Sequence, residues 1–316
     1  MNMKNRVLSS CARTSFHLYL VGSILFGAQL LQAGPYRATN QETSPEAVEA
    51  SSHYDTNEGP FLTIKSKTDQ RKFSRSELLK SPYLKKLIVE KDPAYKDKKS
   101  TYSVIPASQL FGGFKVNDST GISFKCLDGF SAPISTEQLL NTNPSGAIAY
   151  IAIELPNDSW PLIKNHGNHS AGPFYLVWEN PEKSQISIEQ WPFQITGFDI
   201  KGTISEQFPH TGPDQGFQTT SAVAKGYRSF LKNCFACHTM NGEGLAHMGP
   251  DLNIPFSPTE YLRPAFLEMM IRNPKEMRLW PESKMSHFDK SAIPDAELKE
   301  LISYLQYMSK HKVNSK

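Results

Sequence analysis

Two cysteines separated by two residues, with a histidine directly after the second, stand in the stretch NCFACHTMNGEG at residues 233–244. No other feature of the chain restricts its fold and chemistry as much, because Cys234, Cys237 and His238 must share one small volume. Three chemistries use such a pair: a redox dithiol, half of a zinc site, or thioether attachment of a haem with the histidine on its iron. The choice depends on compartment, on the other ligands the chain supplies, and on where the pair sits relative to a helix.

The N-terminus speaks to compartment. Lys4, Arg6 and Arg13, with no acidic residue among them, precede an apolar run from Leu18 to Leu31. That run is about 14 residues long, the length of a signal-peptide core and short of the ~20 residues that span a bilayer. The expectation is a cleavable signal over residues 1–33 and a periplasmic protein, with Ala33 at the cleavage point and Cys11 lost with the signal. Leu31 occupies a position where an ideal site has a small residue. The alternative is an uncleaved anchor, the one case in which a membrane would be a partner. Removing the segment takes away three positive charges and no negative ones, so the formal charge of +3 falls to about zero. A chain so balanced has no electrostatic footprint for nucleic acid.

Composition marks the boundaries. Residues 34–58 are polar, acidic and aperiodic, a flexible spacer. The stretch FPHTGPDQGFQTTS at 208–221 reads as a linker between a domain at 59–207 and another at 222–316. In the first, FLTIK, YSVI, GISFKCL, AIAYIAIEL, FYLVW and QISIEQWPFQITGFDI read as strands, and SRSELLKS and STEQLLNT as short helices, SRSE being a capping box. The result is an α+β domain followed by an all-α one.

In the second domain, SAVAKGYRSFLKN places Val223, Tyr227, Phe230 and Leu231 on one helical face, so the cysteine pair lies at a helix C-terminus. A dithiol enzyme places its pair at a helix N-terminus, where the thiol pKa falls. A four-cysteine zinc site lacks partners, since Cys126 is the one other cysteine outside the signal. The haem reading uses every residue of the motif, Cys234 and Cys237 as thioethers and His238 as an axial ligand. A second axial ligand could come from Met240, Met248, Met269, Met270, Met277, Met285 or Met308. Met269 and Met270 fall in an amphipathic helix, RPAFLEMMIRNP, where methionine reads as core filler. Met285 lies in an irregular, Pro-containing stretch, RLWPESKMSHF, from which a loop can deliver a thioether. Leu298, Leu301, Ile302, Leu305 and Met308 then mark a closing helix, with Pro294, Asp295 and Glu297 suited to its first turn.

GYRSFLKNCFACH, MGPDLN, IRNP, SKMSHF and DAELKELISYLQYM, in that order, resemble the class I c-type cytochromes. The resemblance implies one covalent haem c on Cys234 and Cys237, with His238 and Met285 as axial iron ligands. It also implies that the Pro250 carbonyl orients His238, and that Gly226 lets the first helix cross the last near Leu301 and Tyr304. Ser286 stands where many relatives have proline, which leaves the methionine loop less rigid.

DGFSAPISTEQLL, AYIAIE, HGNHSAGPFYLVW and EQWPFQITGFDI resemble the sulfite-oxidase-type molybdopterin-binding fold. The departures concern its cofactor. That family's molybdenum-ligating cysteine has no counterpart between Gly59 and Ser123, and Tyr175 replaces its phosphate-contacting arginine, so molybdopterin is not expected. Cys126 alternates with Phe124 and reads as core, HGNHSAG reads as a turn before it reads as a His166–His169 metal pair, and Trp160, Trp178 and Trp191 read as packing residues.

The expected function is that of a periplasmic monohaem cytochrome, a one-electron carrier or an electron-transfer subunit that docks on a redox partner, rather than a catalyst. A molybdenum–haem oxidoreductase of sulfite-oxidase type and a haem-based sensor or binding module are the alternatives.

Overall fold

The computed structural model describes residues 54–55 and 59–313, apart from 97, 118–119, 164–168, 215, 217, 246–247 and 279–284. The expected signal with Ala33 and Cys11, most of the spacer, and His166 lie outside the described residues. No helix among the described residues is long and apolar enough to cross a membrane.

The first part is rich in β-structure. Its strands are β1 (Tyr54–Asp55), β2 (Gly59–Lys65), β3 (Gln70–Ser74), β4 (Lys85–Asp92), β5 (Lys98–Pro106), β6 (Gly121–Cys126), β7 (Ser131–Ile134), β8 (Ile148–Ile153), β9 (Phe174–Glu179) and β10 (Ile195–Lys201). One sheet runs β1-β2-β10-β6-β7 with β3 also paired to β2, and the other runs β4-β5-β8-β9. Neighbours pair antiparallel except β2 and β10. That parallel pair needs Gly197, where a Cβ would lie 2.1 Å from the Thr63 carbonyl oxygen. β2 alternates, burying Leu62 and Ile64, whereas β8 and β9 are buried nearly throughout, as strands covered on both faces are. Both sheets feed one apolar core.

Helices in this part are single turns, so it is β-rich rather than evenly mixed. The helix expected at STEQLLNT forms as a single turn, capped by Ser135, which accepts from Gln138 N. At SRSE only the serine half of the capping box is present, Ser74 accepting from Glu77 N. Three further readings change. QRKFS, KKLIVEKD and SAPI are strands, although their sequences do not announce them. Within QISIEQWPFQITGFDI, Ile188–Gln190 is a 3-10 turn and only β10 is a strand. The expected spacer contributes β1, paired with the start of β2.

The second part is helical. α1 (Ala222–Asn233) starts at Ser221, whose hydroxyl accepts from Ala224 N. α2 (Pro264–Arg272) and α3 (Asp295–Ser309) come next, the latter directly after Pro294 at its N-cap. α1 crosses α3 at Gly226, where a Cβ would stand 2.0 Å from the Glu300 carbonyl oxygen and 2.7 Å from Tyr304 Cβ. Phe230 and Tyr304 pack as a tilted pair beside that crossing at 5.3 Å, and Phe230 meets Phe235 at 5.3 Å. α2 buries Leu267 and Ile271, not the methionines: Met269 is exposed and Met270 half-buried, so neither fills the core. The expected linker is partly core as well. Phe208 packs on Phe235 at 5.2 Å, Thr211 is fully buried, and Tyr304 Oη donates to the Thr211 carbonyl.

The crossing gives a direct test. Gly226→Val places methyl groups where the α3 backbone stands, and overpacking of this kind costs about 3 kcal/mol. A clear fall in the thermal midpoint of the helical part is expected, and an unchanged midpoint would mean the helices do not cross there.

Candidate functional site

The cysteine pair is shaped by how α1 ends. Cys234 N donates to Phe230 O at 2.8 Å, and Phe235 N to the same oxygen at 3.0 Å. Cys237 N and His238 N then both donate to Cys234 O, at 3.0 and 2.9 Å. The chain thus makes one more helix-like turn, on which residues three and four apart are neighbours. Phe235 is buried in the helical core and Cys234 packs against it. Ala236 is buried in the core of the β-rich part, and Cys237 packs against that one. The motif is therefore held from both sides.

Both thiols are free. Burial, and after it the negative charge of Glu189, pushes each up to about 12. A dithiol oxidoreductase or a thiolate metal site uses lowered thiol pKa values, so this environment is the opposite of what those chemistries employ.

His238 is set by the loop that comes after it. Gly249 N donates to Cys237 O at 2.9 Å, and Leu252 N to Thr239 O at 2.9 Å, which folds residues 248–252 back under the ring. Gly249 lies so close that a Cβ there would be 2.4 Å from His238 Cε1 and 2.6 Å from Nδ1. His238 Nδ1 is 2.7 Å from the Pro250 carbonyl. A carbonyl only accepts, so Nδ1 carries the proton. Burial lowers the pKa of this histidine. The neutral ring then keeps its lone pair on Nε2, the form in which imidazole binds metals.

Asp251 fixes the loop. Its carboxylate accepts from Gly242 N and Asn253 N at 2.7 Å and from Ile254 N at 2.8 Å. Burial opposes the charge, yet these donors hold the pKa below the ordinary value. Sequence reasoning assigns no role to Asp251 or Gly249, although both lie in MGPDLN.

Met285 is half-buried in irregular chain, and residues 279–284 just before it lie outside the described residues. The segment beyond it is tied down. Phe288 N donates to Ile271 O, and Arg272 Nη1 donates to the carbonyls of Phe288 and Asp289 at 3.0 Å and to that of Ile293. Arg272 also pairs with Asp295 at 2.9 Å. IRNP contains this arginine, but one side chain reaching three carbonyls of a distant loop has no local sequence signal. Of the other methionines, Met240 and Met308 are buried in the helical core, Met248 is exposed and Met277 half-buried.

The structure thus brings Cys234, Cys237, His238 and Pro250 onto one turn and its supporting loop. Met285 arrives on a separate segment. The 3-10 turn Ile188–Gln190 of the β-rich part packs against α1, and the negative charge of Glu189 on it bears on both cysteines.

In the β-rich part, Cys126 is a buried core thiol. Tyr175 is fully buried and donates to Asp92 at 3.0 Å, and Tyr102 donates to the same carboxylate. A separate cleft of about 470 Å³, lined by Arg75, Glu154, His169 and Gln194 among others, contains none of the haem-site residues expected from the sequence.

Residues 223–309 match the family model described as Cytochrome c. No curated protein and no solved structure matches the chain. The C-terminal part is a cytochrome c domain, preceded by a β-rich part to which the match does not extend. The protein is accordingly a haem-based electron-transfer protein, and its domain implies covalently bound haem c.

Asp251 makes the loop's stability depend on pH in a defined direction. A carboxyl whose folded pKa is depressed contributes stability that is full above its unfolded value, near pH 4, and is lost as pH falls through the folded value. Asp251→Asn should destabilise by about 1–3 kcal/mol at neutral pH. In denaturant titrations the gap from wild type should close as pH drops below 4, and a gap independent of pH would count against a charged Asp251.

Proposed function

We propose that the protein is an exported, periplasmic monohaem cytochrome c that carries single electrons and docks on a redox partner protein. Cys234 and Cys237 would hold the haem as thioethers, with His238 and Met285 as its axial ligands and Pro250 orienting the histidine. When bound, the haem iron supplies a site that gains and loses one electron.

The observation that carries this reading is the His238–Pro250 hydrogen bond beside two unpaired thiols. The carbonyl fixes the tautomer and the ring direction, and Gly249 leaves the ring no competing side chain on that face. The two thiols are unpaired and half-buried on the turn that also carries the histidine. Two protein ligands on the iron favour electron transfer over substrate binding.

The β-rich part is proposed as a cofactor-free scaffold of sulfite-oxidase type. Tyr175, at the position of that family's arginine, is turned into the core toward Asp92 and so offers no donor to a phosphate. Cys126 sits in the core rather than at an accessible metal site. The fold would persist after its site was lost, serving as a docking surface.

Two measurements test the haem assignment. Acid–acetone extraction should leave the haem on the intact protein, and Cys234→Ala or Cys237→Ala should weaken that retention; free release from wild type would refute thioether attachment. The ferric protein should also show a thioether-to-iron charge-transfer band at the red edge of the visible spectrum. Met285→Ala should abolish it and open the ferrous iron to carbon monoxide. Loss of the band in Met248→Ala or Met277→Ala instead would move the ligand.

A further inference from the structure

We propose that the cleft of the β-rich part binds a small zwitterion, a molecule with one carboxylate and one ammonium group, as a free amino acid has. Arg75 takes the carboxylate and Glu154 the ammonium. None of the haem-site residues lines this cleft, so the inference stands apart from the haem reading.

The cleft forms where ends of strands from both sheets come together. Pro60 lies at the start of β2, Glu154 directly follows β8, Pro173 directly precedes β9 and Gln194 directly precedes β10. β2 and β10 belong to one sheet, β8 and β9 to the other. Its volume of about 470 Å³ falls within the ~300–1,000 Å³ of small-molecule pockets. Pro60 and Pro173 are buried and give it an apolar wall.

Two other half-buried arginines are matched to acceptors. Arg71 donates to the Gly112 carbonyl and pairs with Asp69, and Arg272 reaches three carbonyls and Asp295. Arg75 is half-buried as well, with Nη2 3.8 Å from where a Cβ on Gly59 would stand. Among the described residues no acceptor meets its guanidinium, which lines the cleft. A planar fork of donors in that position suits a carboxylate, which it binds through two parallel bonds.

Glu154 supplies the opposite charge. Its Oε1 accepts from Trp160 N and from Ser170 Oγ, both at 2.8 Å, so the carboxylate is fixed. Oε2 lies against Gly172, which has no Cβ to obstruct it, and accepts no bond among the described residues. Arg75 and Glu154 form no ion pair with each other, so both charges are available to a ligand. A free carboxylate oxygen attracts an ammonium and repels a dianion such as phosphate. Gln194 completes the site. It holds a positive φ of 56°, a strained value for a residue other than glycine, and strain of this kind gathers at ligand clamps. Its N donates to Ala171 O at 2.9 Å and its Nε2 to Ser170 O at 3.1 Å, which leaves Oε1 to accept from the ammonium.

The test is isothermal titration calorimetry on the full-length, haem-loaded protein at neutral pH. The probes are L-alanine and L-leucine, their analogues without the amine (propionate and 4-methylpentanoate), those without the carboxylate (ethylamine and 3-methylbutylamine), and inorganic phosphate. At least one amino acid should bind with a Kd of about 1 mM or lower, at least tenfold tighter than its two analogues and phosphate. Arg75→Met should weaken that amino acid at least tenfold and leave the amine analogue unchanged. Glu154→Gln, which keeps an acceptor for Trp160 and Ser170, should weaken it equally and leave the carboxylate analogue no weaker. A collapsed cleft would weaken every probe alike, so this selectivity separates binding from folding. Absence of binding by both amino acids, an analogue or phosphate that binds as tightly, or wild-type affinity in either variant would overturn the proposal.

Discussion

The motif CFACH is shared between two hydrophobic cores, and the rest of the arrangement depends on that. Phe235 is buried among Phe208, Phe230 and the residues of α3, while its neighbour Ala236 is buried among the strands of the β-rich part. Successive side chains committed to different cores leave the backbone little freedom. Cys234 and Cys237 are then held at fixed separation on one turn, and His238 emerges where the Gly249–Pro250 loop can receive it. Pulling the two cores apart would expose apolar surface on both sides of the motif, so the site and the contact between the parts stand or fall together.

This accounts for a cytochrome c domain preceded by a second folded part. An electron carrier needs an iron whose ligands move little between oxidation states, and a rigid second ligand segment helps. The segment after Met285, which would supply the second ligand, is pinned within the helical part by Arg272. The second part bears on the cysteine motif directly, because Ala236 lies in its core and Cys237 packs against it.

Much of the cytochrome domain is legible in the sequence because its signals are local. The stripe at Leu298, Leu301, Leu305 and Met308 has helical spacing, as does the α1 face of Val223, Tyr227, Phe230 and Leu231, while the crossing at Gly226 follows from the resemblance to class I cytochromes. The features that escape a sequence reading depend on distant contacts. A Gly-, Pro- and Thr-rich stretch reads as linker until Phe208 and Thr211 are seen buried in the helical core. In KKLIVEKD the buried Leu87 and Val89 are outnumbered by charged residues, which masks the alternation of an edge strand. Ser187 and Gln190 carry the S-x-x-Q pattern of a capping box, but the β-branched residues around them favour a strand reading. Tyr175 shows its role only once Asp92 is placed beside it.

The most direct measurement of the central claim is a potentiometric titration of the full-length protein, with metal analysis on the same sample. A single-haem carrier with a cofactor-free second part should give one Nernstian, one-electron wave, about one iron per chain and essentially no molybdenum. Stoichiometric molybdenum, a second redox wave, or haem reduction by sulfite alone would contradict the account and make the β-rich part a catalytic domain.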